Sequence, residues 1–419
     1  MRADHGAGYS IALIGLLTSL PAIAQPVQPD VAAPGAVPST STSVVPGTPT
    51  PNPPPPAPTP PAAVAAAKAP PAATETMPAS RPDALPPITV GAWTRVGATI
   101  QGASDPTKLN DIRMDTAYVE LHAGGKIHKN VGVTLNLNGN IASFAPPGGG
   151  MGEGGSYVGI MDAIIQGDFM DEFHVWAGHL LVPVDRANAS GPFFMIPWNY
   201  PGFIGAAVGA PKEGPFGRNN GVVVWGDING GQLTYLAGAF DNADVTTSPL
   251  FSGRLRLALL DKEGGFWGNG SYFGEKDLFT IGVGGQFQSN GSSSMAGEKA
   301  FATVNGDVLF EKKLGGGSFF TAEGAYYHYN VADGSVSDHF YVLGAYATPT
   351  VGVGSIQPMV RYQWMKVKGP GDLKPWNLDA GVSFLIKGPA LRLLATYSHN
   401  DFGATTSNAI QLGAQAIFF

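Results

Sequence analysis

The sequence has no cysteine. That excludes a disulfide framework, thiol catalysis and thiolate metal sites. Charge is scarce as well: 13% of residues are ionisable as acid or base, against about 25% in an ordinary soluble domain. The net charge of -7 is mild and no basic cluster occurs, so nucleic acid is not an expected partner. Long apolar runs are missing too. Outside the N-terminus no uncharged stretch reaches about 18 apolar residues, which excludes spanning helices. What is present is glycine, 58 residues of it, with a mean hydropathy of only +0.05. A membrane protein with that balance has to cross by strands, in which alternate residues are polar.

The chain divides into three by texture. Residues 1–24 read as a signal peptide: Arg2, then a short apolar run from Ile11 to Leu20, then Ala22-Ile23-Ala24 as the cleavage signature. Export with cleavage after Ala24 is the expectation. Residues 25–87 are rich in Pro, Ala, Thr and Ser and too poor in large apolar side chains to bury a core. They are expected to form a disordered periplasmic arm, with cell-wall contact as one role. Residues 88–419 carry the folded domain.

That third part is a run of alternating strands. In VGVTLNLNGN, Val131, Val133, Leu135 and Leu137 oppose Thr134, Asn136, Asn138 and Asn140. Side chains of a strand alternate faces, so such a strand separates oil from water. Sixteen such runs are legible, starting near residues 90, 112, 130, 157, 172, 219, 231, 252, 278, 300, 318, 339, 354, 375, 390 and 408. Their connectors alternate long and short, the rhythm of a barrel with short turns at one end and long loops at the other. The fold class expected is all-β: a 16-stranded antiparallel transmembrane β-barrel. KEGGFWGNGSYFGEKD breaks the rhythm, being long where a short turn belongs, and leaves open a miscounted strand near 262–277. The last run, SNAIQLGAQAIFF, places Ile410, Leu412, Ala414, Ala416 and Phe418 toward lipid and Gln411 and Gln415 toward the pore. Phe419 falls out of this register, so it is either an extra residue or the mark of a bulge near Ala416.

Several stretches resemble one family. GRNNGVVVWGDINGGQLTYLAGAFDNAD is similar to a hairpin of the phosphate-selective porins of the O and P type, and FHVWAGHLLVP to the strand that feeds their constriction loop. FSGRLRLALL, VNGDVLFEKK and IQPMVRYQW resemble their later strands, so the likeness spans about residues 88 to 419. The resemblance implies a homotrimeric outer-membrane porin of a Gram-negative bacterium whose third long loop folds into the lumen. It also implies recognition of the C-terminal strand by the barrel-assembly machinery, and passage of small hydrophilic solutes, with anions such as phosphate among them. The chain holds ten arginines, few for a phosphate-preferring pore.

Strand alternation turns Arg95, Glu120, His122, Asp162, Arg254, Arg256, Asp307, Glu323, Arg361, Asp379 and Arg392 toward the pore. Two readings stand side by side: an arginine wall facing acids across the pore, and ion pairs that stiffen the barrel. The segment from Val182 to Arg218 is too aromatic for disorder. As the constriction loop it brings Asp185, Arg186, Lys212, Glu213 and Arg218 to the narrowest point; as a trimer-contact or rim loop it does not. No catalytic constellation or metal-ligand spacing stands out, and no cofactor is called for. Two alternatives to a porin remain: a soluble secreted all-β enzyme or binding protein, and a plugged structural or tethering barrel.

Overall fold

The computed structural model describes residues 88–102, 111–140, 157–202, 217–241, 248–294, 297–330, 336–369, 371–403 and 405–418. Residues 1–87, which include the expected signal peptide and arm, lie outside them. The strands are β1 (Thr89–Gln101), β2 (Asp111–His128), β3 (Val131–Asn140), β4 (Tyr157–Met170), β5 (Phe173–Leu181) and β6 (Arg218–Ile228). Then follow β7 (Leu233–Phe240), β8 (Leu250–Ala258), β9 (Leu278–Ser294), β10 (Gly297–Gly315) and β11 (Ser318–Asn330). The last five are β12 (Val336–Ala347), β13 (Ser355–Val367), β14 (Trp376–Leu385), β15 (Leu391–Asp401) and β16 (Thr406–Phe418). Each pairs antiparallel with its neighbours in sequence, and β16 returns to pair with β1, so the sheet closes. Closure leaves no strand edge open, the condition for crossing a bilayer with strands.

The sequence rhythm translates into two faces. On β8, Phe251, Leu255 and Leu257 are exposed while Ser252, Arg254 and Arg256 are buried. The same inversion, apolar out and polar in, recurs along β13, where Ile356, Val360 and Tyr362 are exposed and Gln357, Arg361 and Gln363 are buried. A water-soluble sheet would turn its leucines inward; here they face out because lipid is the outer solvent. Leu255→Arg, on this outer face, is expected to destabilise the barrel by about 2–4 kcal/mol, the cost of a cation near the bilayer midplane. Unfolding titrations in lipid vesicles would measure it, and a cost near zero would contradict the outward lipid face.

The closing strand keeps one register. From Ala409 to Phe418 it pairs with β1 without a shift, and Ala416 sits opposite Thr94 with no bulge. Ile410, Leu412 and Phe418 are exposed, whereas Gln415 is buried and Gln411 reaches inward to Asn199. Phe419 lies outside the described residues. The long connector after β8 hides no strand: residues 259–277 form irregular turns, and the sixteen strands are complete without it.

Candidate functional site

Two non-strand segments touch the inward faces of the wall. The first, residues 182–202 after β5, holds one short helix, α1 (Arg186–Ser190), whose N-cap Asp185 accepts from the Asn188 amide at 2.9 Å. Burial raises the Asp185 carboxyl above its ordinary value, although the Asn188 bonds and Arg254 pull it the other way. The remainder, SGPFFMIPWNY, is an irregular ribbon whose backbone carbonyls are met by side chains of the wall. Arg95 of β1 donates to Trp198 O at 2.8 Å, Arg361 of β13 to Asn199 O at 2.9 Å and Arg392 of β15 to Ile196 O at 3.2 Å. Gln415 of β16 donates to Phe193 O at 2.9 Å and Arg254 of β8 to Val184 O at 3.2 Å. Four of these donors stand on the contiguous arc from β13 through β16 to β1 and the fifth on β8, so the segment is fixed at several points, and the four arginine bonds are charge-assisted, the stronger kind.

Glycine makes the close approach possible. Gly97 and Gly413 are direct partners across the β1–β16 seam, and Trp198 lies over both. A Cβ at Gly413 would stand 2.6 Å from that indole, and one at Gly97 3.1 Å from it. The Arg95 guanidinium lies over the same ring, 3.7 Å from its centroid. Strand glycines often mark such an approach of another segment.

The second segment is the rhythm-breaking connector, 259–277, from the short-turn end. Phe266 enters a nest of Trp176 and Trp225, stacking on Trp176 at 4.7 Å between centroids. Glu311 of β10 then collects it, accepting from Ser271 Oγ at 2.7 Å and from the amides of Tyr272 and Gly274 at 3.1 and 2.8 Å.

The two segments meet at one ion pair. Arg186 grips Glu263 with two bonds, Nη1 to Oε1 at 2.6 Å and Nη2 to Oε2 at 2.9 Å. Arg186 Nε also faces Asp307 at 3.3 Å, and Asp307 in turn takes two bonds from Arg254 at 2.6 and 2.9 Å. Both side chains of the central pair are fully inaccessible. Burial alone would raise the Glu263 carboxyl, but Arg186 and Arg256 outweigh it and hold it at about 2.

Of the eleven wall residues expected at the pore, Arg95, Glu120, Asp162, Arg254, Arg256, Asp307, Glu323, Arg361, Asp379 and Arg392 are buried, and His122 is half-buried. They do not form an arginine wall opposed to an acidic one. Arg361 pairs with Asp379 on the adjacent strand at 2.7 Å, and Arg218 with Asp162 at 3.2 Å. Arg218 is the first residue of β6, opposite Leu181, rather than part of a loop, because the β5–β6 ladder extends to it. Asp185 and Arg186 belong to the first segment; Lys212 and Glu213 lie outside the described residues. Sequence reasoning missed Glu263 and Glu311, which sit in or beside the connector that had no assigned role.

Between the two segments and β1 to β4 a cavity of about 470 Å³ stays open. Trp93, Tyr118, Phe194, Tyr200 and Trp267 line it together with Glu120, His122, Asn136, Asp162 and Arg218.

Closed sheet, apolar exterior and charged interior together define a 16-stranded transmembrane β-barrel. Solved structures similar in fold include Pseudomonas putida OprB at high pH, with a TM-score of 0.56 and 10% identity over 79% of this chain and 94% of that one. OmpF of Salmonella typhi in complex with daunomycin aligns with a TM-score of 0.52 and 11% identity over 79% and 97% of the two chains. The loop L8 deletion mutant of OmpT, an outer membrane protein of Vibrio cholerae, gives 0.50 and 12% over 79% and 99%. At such identities the likeness is one of fold. No protein-family model matches the chain, and no curated protein matches it.

Proposed function

We propose that this protein is a porin of the Gram-negative outer membrane, a channel rather than an enzyme, which passes small hydrophilic solutes by diffusion. The observation that carries the reading is the inversion of the barrel, with leucines outside and ion pairs and amides inside. Residues 182–202 act as the constriction loop, narrowing the lumen against the wall, and residues 259–277 narrow it from the other end. The reading extends to outer-membrane lipid around the barrel, a homotrimer, recognition of β16 by the barrel-assembly machinery, and a secreted precursor with a periplasmic arm. Membership of the O and P porins would add phosphate preference. That preference needs arginine donors turned to solute, whereas Arg186, Arg254 and Arg361 each hold a carboxylate.

Purified full-length protein in planar bilayers is expected to give discrete conductance steps, and fractionation to recover it with outer membranes. A second reading, the plugged structural barrel, draws on the complete burial of the Arg186–Glu263 pair in the lumen. It predicts protein in the same membrane fraction but no steps. Recovery in the soluble periplasm would reject both.

A further inference from the structure

The outer face of β11 to β14 carries two rows of side chains that the lumen does not use. In the first, register pairs Tyr326 with Phe340, Phe340 with Trp364 and Trp364 with Trp376, one ring on each of four strands. In the second, two residues nearer the long connectors, His328 pairs with Asp338 and Asp338 with Lys366. The level of these rows follows from β11, whose outward residues run Phe320, Ala322, Gly324, Tyr326, His328. A barrel strand rises about 3.4 Å per residue and tilts about 40°, so His328 stands about 21 Å above Phe320 along the membrane normal. The apolar band of such barrels is about 25 Å tall, with aromatic girdles at its borders. On the outer-membrane reading the four rings are therefore the girdle of the outer leaflet, and the second row meets the headgroups. Tyr397, His399 and Asn408 repeat the arrangement of Tyr326, His328 and Asp338 on β15 and β16, with Asn408 Oδ1 accepting at 2.8 and 2.7 Å.

In the second row the acid is occupied and the bases are not. Asp338 Oδ1 accepts from Tyr326 Oη at 2.6 Å and from His328 Nδ1 at 2.9 Å, and Oδ2 accepts from Ser337 Oγ at 2.8 Å. The His328 side chain is 53% exposed, and its Nε2 has no bond among the described residues. Lys366 Nζ meets Asp372 at 2.9 Å, which uses one of the three donors of an ammonium. Of the lysines whose side chains are described, those at the long-connector end are Lys366, Lys368 and Lys374, all on β13 or the connector after it. Basic groups just beyond an aromatic border complement an anionic headgroup. We propose that this face of β11 to β14 binds a phosphorylated lipid of the outer leaflet. Its phosphate is held by His328 and Lys366, and its acyl chains lie below the rings. The assignment rests on the outer-membrane reading above, which puts the long connectors outside.

The test uses the full-length protein in dodecyl maltoside micelles, titrated with diphosphoryl lipid A, with its dephosphorylated form and with inorganic phosphate. Native mass spectrometry counts bound lipid and subunits together. Diphosphoryl lipid A is expected to bind saturably, and the other two to leave the protein unladen over the same range. Lys366→Gln should raise the half-saturating lipid concentration roughly fivefold, the weight of one lysine at an anionic lipid surface. Lys366→Arg should restore it, and Lys387→Gln, at the short-turn end, should leave it unmoved. His328→Gln supplies a second variant should Lys366→Gln fail to assemble, and it should shift the curve in the same direction. Equal binding of the dephosphorylated lipid would overturn the assignment, as would binding of inorganic phosphate or a curve unmoved in both variants. Loss of subunits rather than of lipid would give the face to a second copy of the chain and overturn it too. Conductance steps are recorded apart from lipid binding, so failure of the porin reading is seen separately.

Discussion

Glu263→Ala should enlarge the single-channel conductance while leaving the barrel assembled. The substitution strips Arg186 of its bidentate partner and leaves Asp307, at 3.3 Å, as its nearest acid. Removing one partner of a buried ion pair costs about 3–5 kcal/mol, because the other charge stays buried without compensation. The strand ladders do not depend on this pair, so the strain is relieved where attachment is weakest: residues 259–277 part from α1, and the lumen widens. A control isolates the charge from the shape. Arg186→Met with Glu263→Met replaces both ions by apolar chains, which is often neutral for a buried pair, and should restore a conductance near that of the parent. Equal steps in Glu263→Ala and the parent would contradict the latch. Acid is a weaker lever than substitution. Burial opposes the Glu263 charge, yet the two arginines hold its pKa at about 2, below its ordinary 4.5. A depressed carboxyl contributes stability above the ordinary value and loses it only as pH falls through the lowered one. The steps should therefore stay constant between pH 8 and about 5, as far as this group governs them.

The second large effect is steric. Gly284 lies on the inward face of β9, where a Cβ would collide with the Val184 carbonyl and approach Asn305 Oδ1 at 3.2 Å. Gly284→Ala is expected to push the start of residues 182–202 off the wall, breaking the 3.2 Å bond from Arg254 to Val184 O. Overpacking of this kind costs about 1–3 kcal/mol, only partly offset by the entropy that alanine removes from the unfolded chain. Gly344→Ala on β12 is the control, since nothing lies within 4 Å of its Cβ. Heat-modifiable gel mobility reads barrel stability and bilayer recording reads the lumen. Gly284→Ala should shift both, and Gly344→Ala neither; a Gly284 variant indistinguishable from the control would refute the contact.

Strands and faces were legible because period-2 alternation is local: VGVTLNLNGN states its own two sides, and so does the run from Ile410 to Phe418. The inward direction of Arg254 or Asp379 follows from the same count. Their partners do not. Arg95 meets Trp198 O across 103 positions and Arg392 meets Ile196 O across 196, and a carbonyl has no residue identity to read. Glu263 was hidden for another reason. It lies in a segment without periodicity, and its partner Arg186 is 77 positions away. The irregular length of that connector was the visible signal; in sequence it left a miscounted strand open, and the structure shows a strandless insertion instead. Arg218 was placed one step too far into the loop because a glycine-flanked strand end has no sharp boundary in sequence.

The indole of Trp198 rests on Gly97 and Gly413, one from each strand of the β1–β16 seam. An unzipped sheet offers half of that platform at either border and the whole of it at neither. The seat of the tryptophan is thus complete only in a barrel whose first and sixteenth strands have met in the observed register. A slip of one residue along the seam would present a side chain where the ring needs bare backbone. The lumen segment therefore records, from inside, whether the circle was joined correctly.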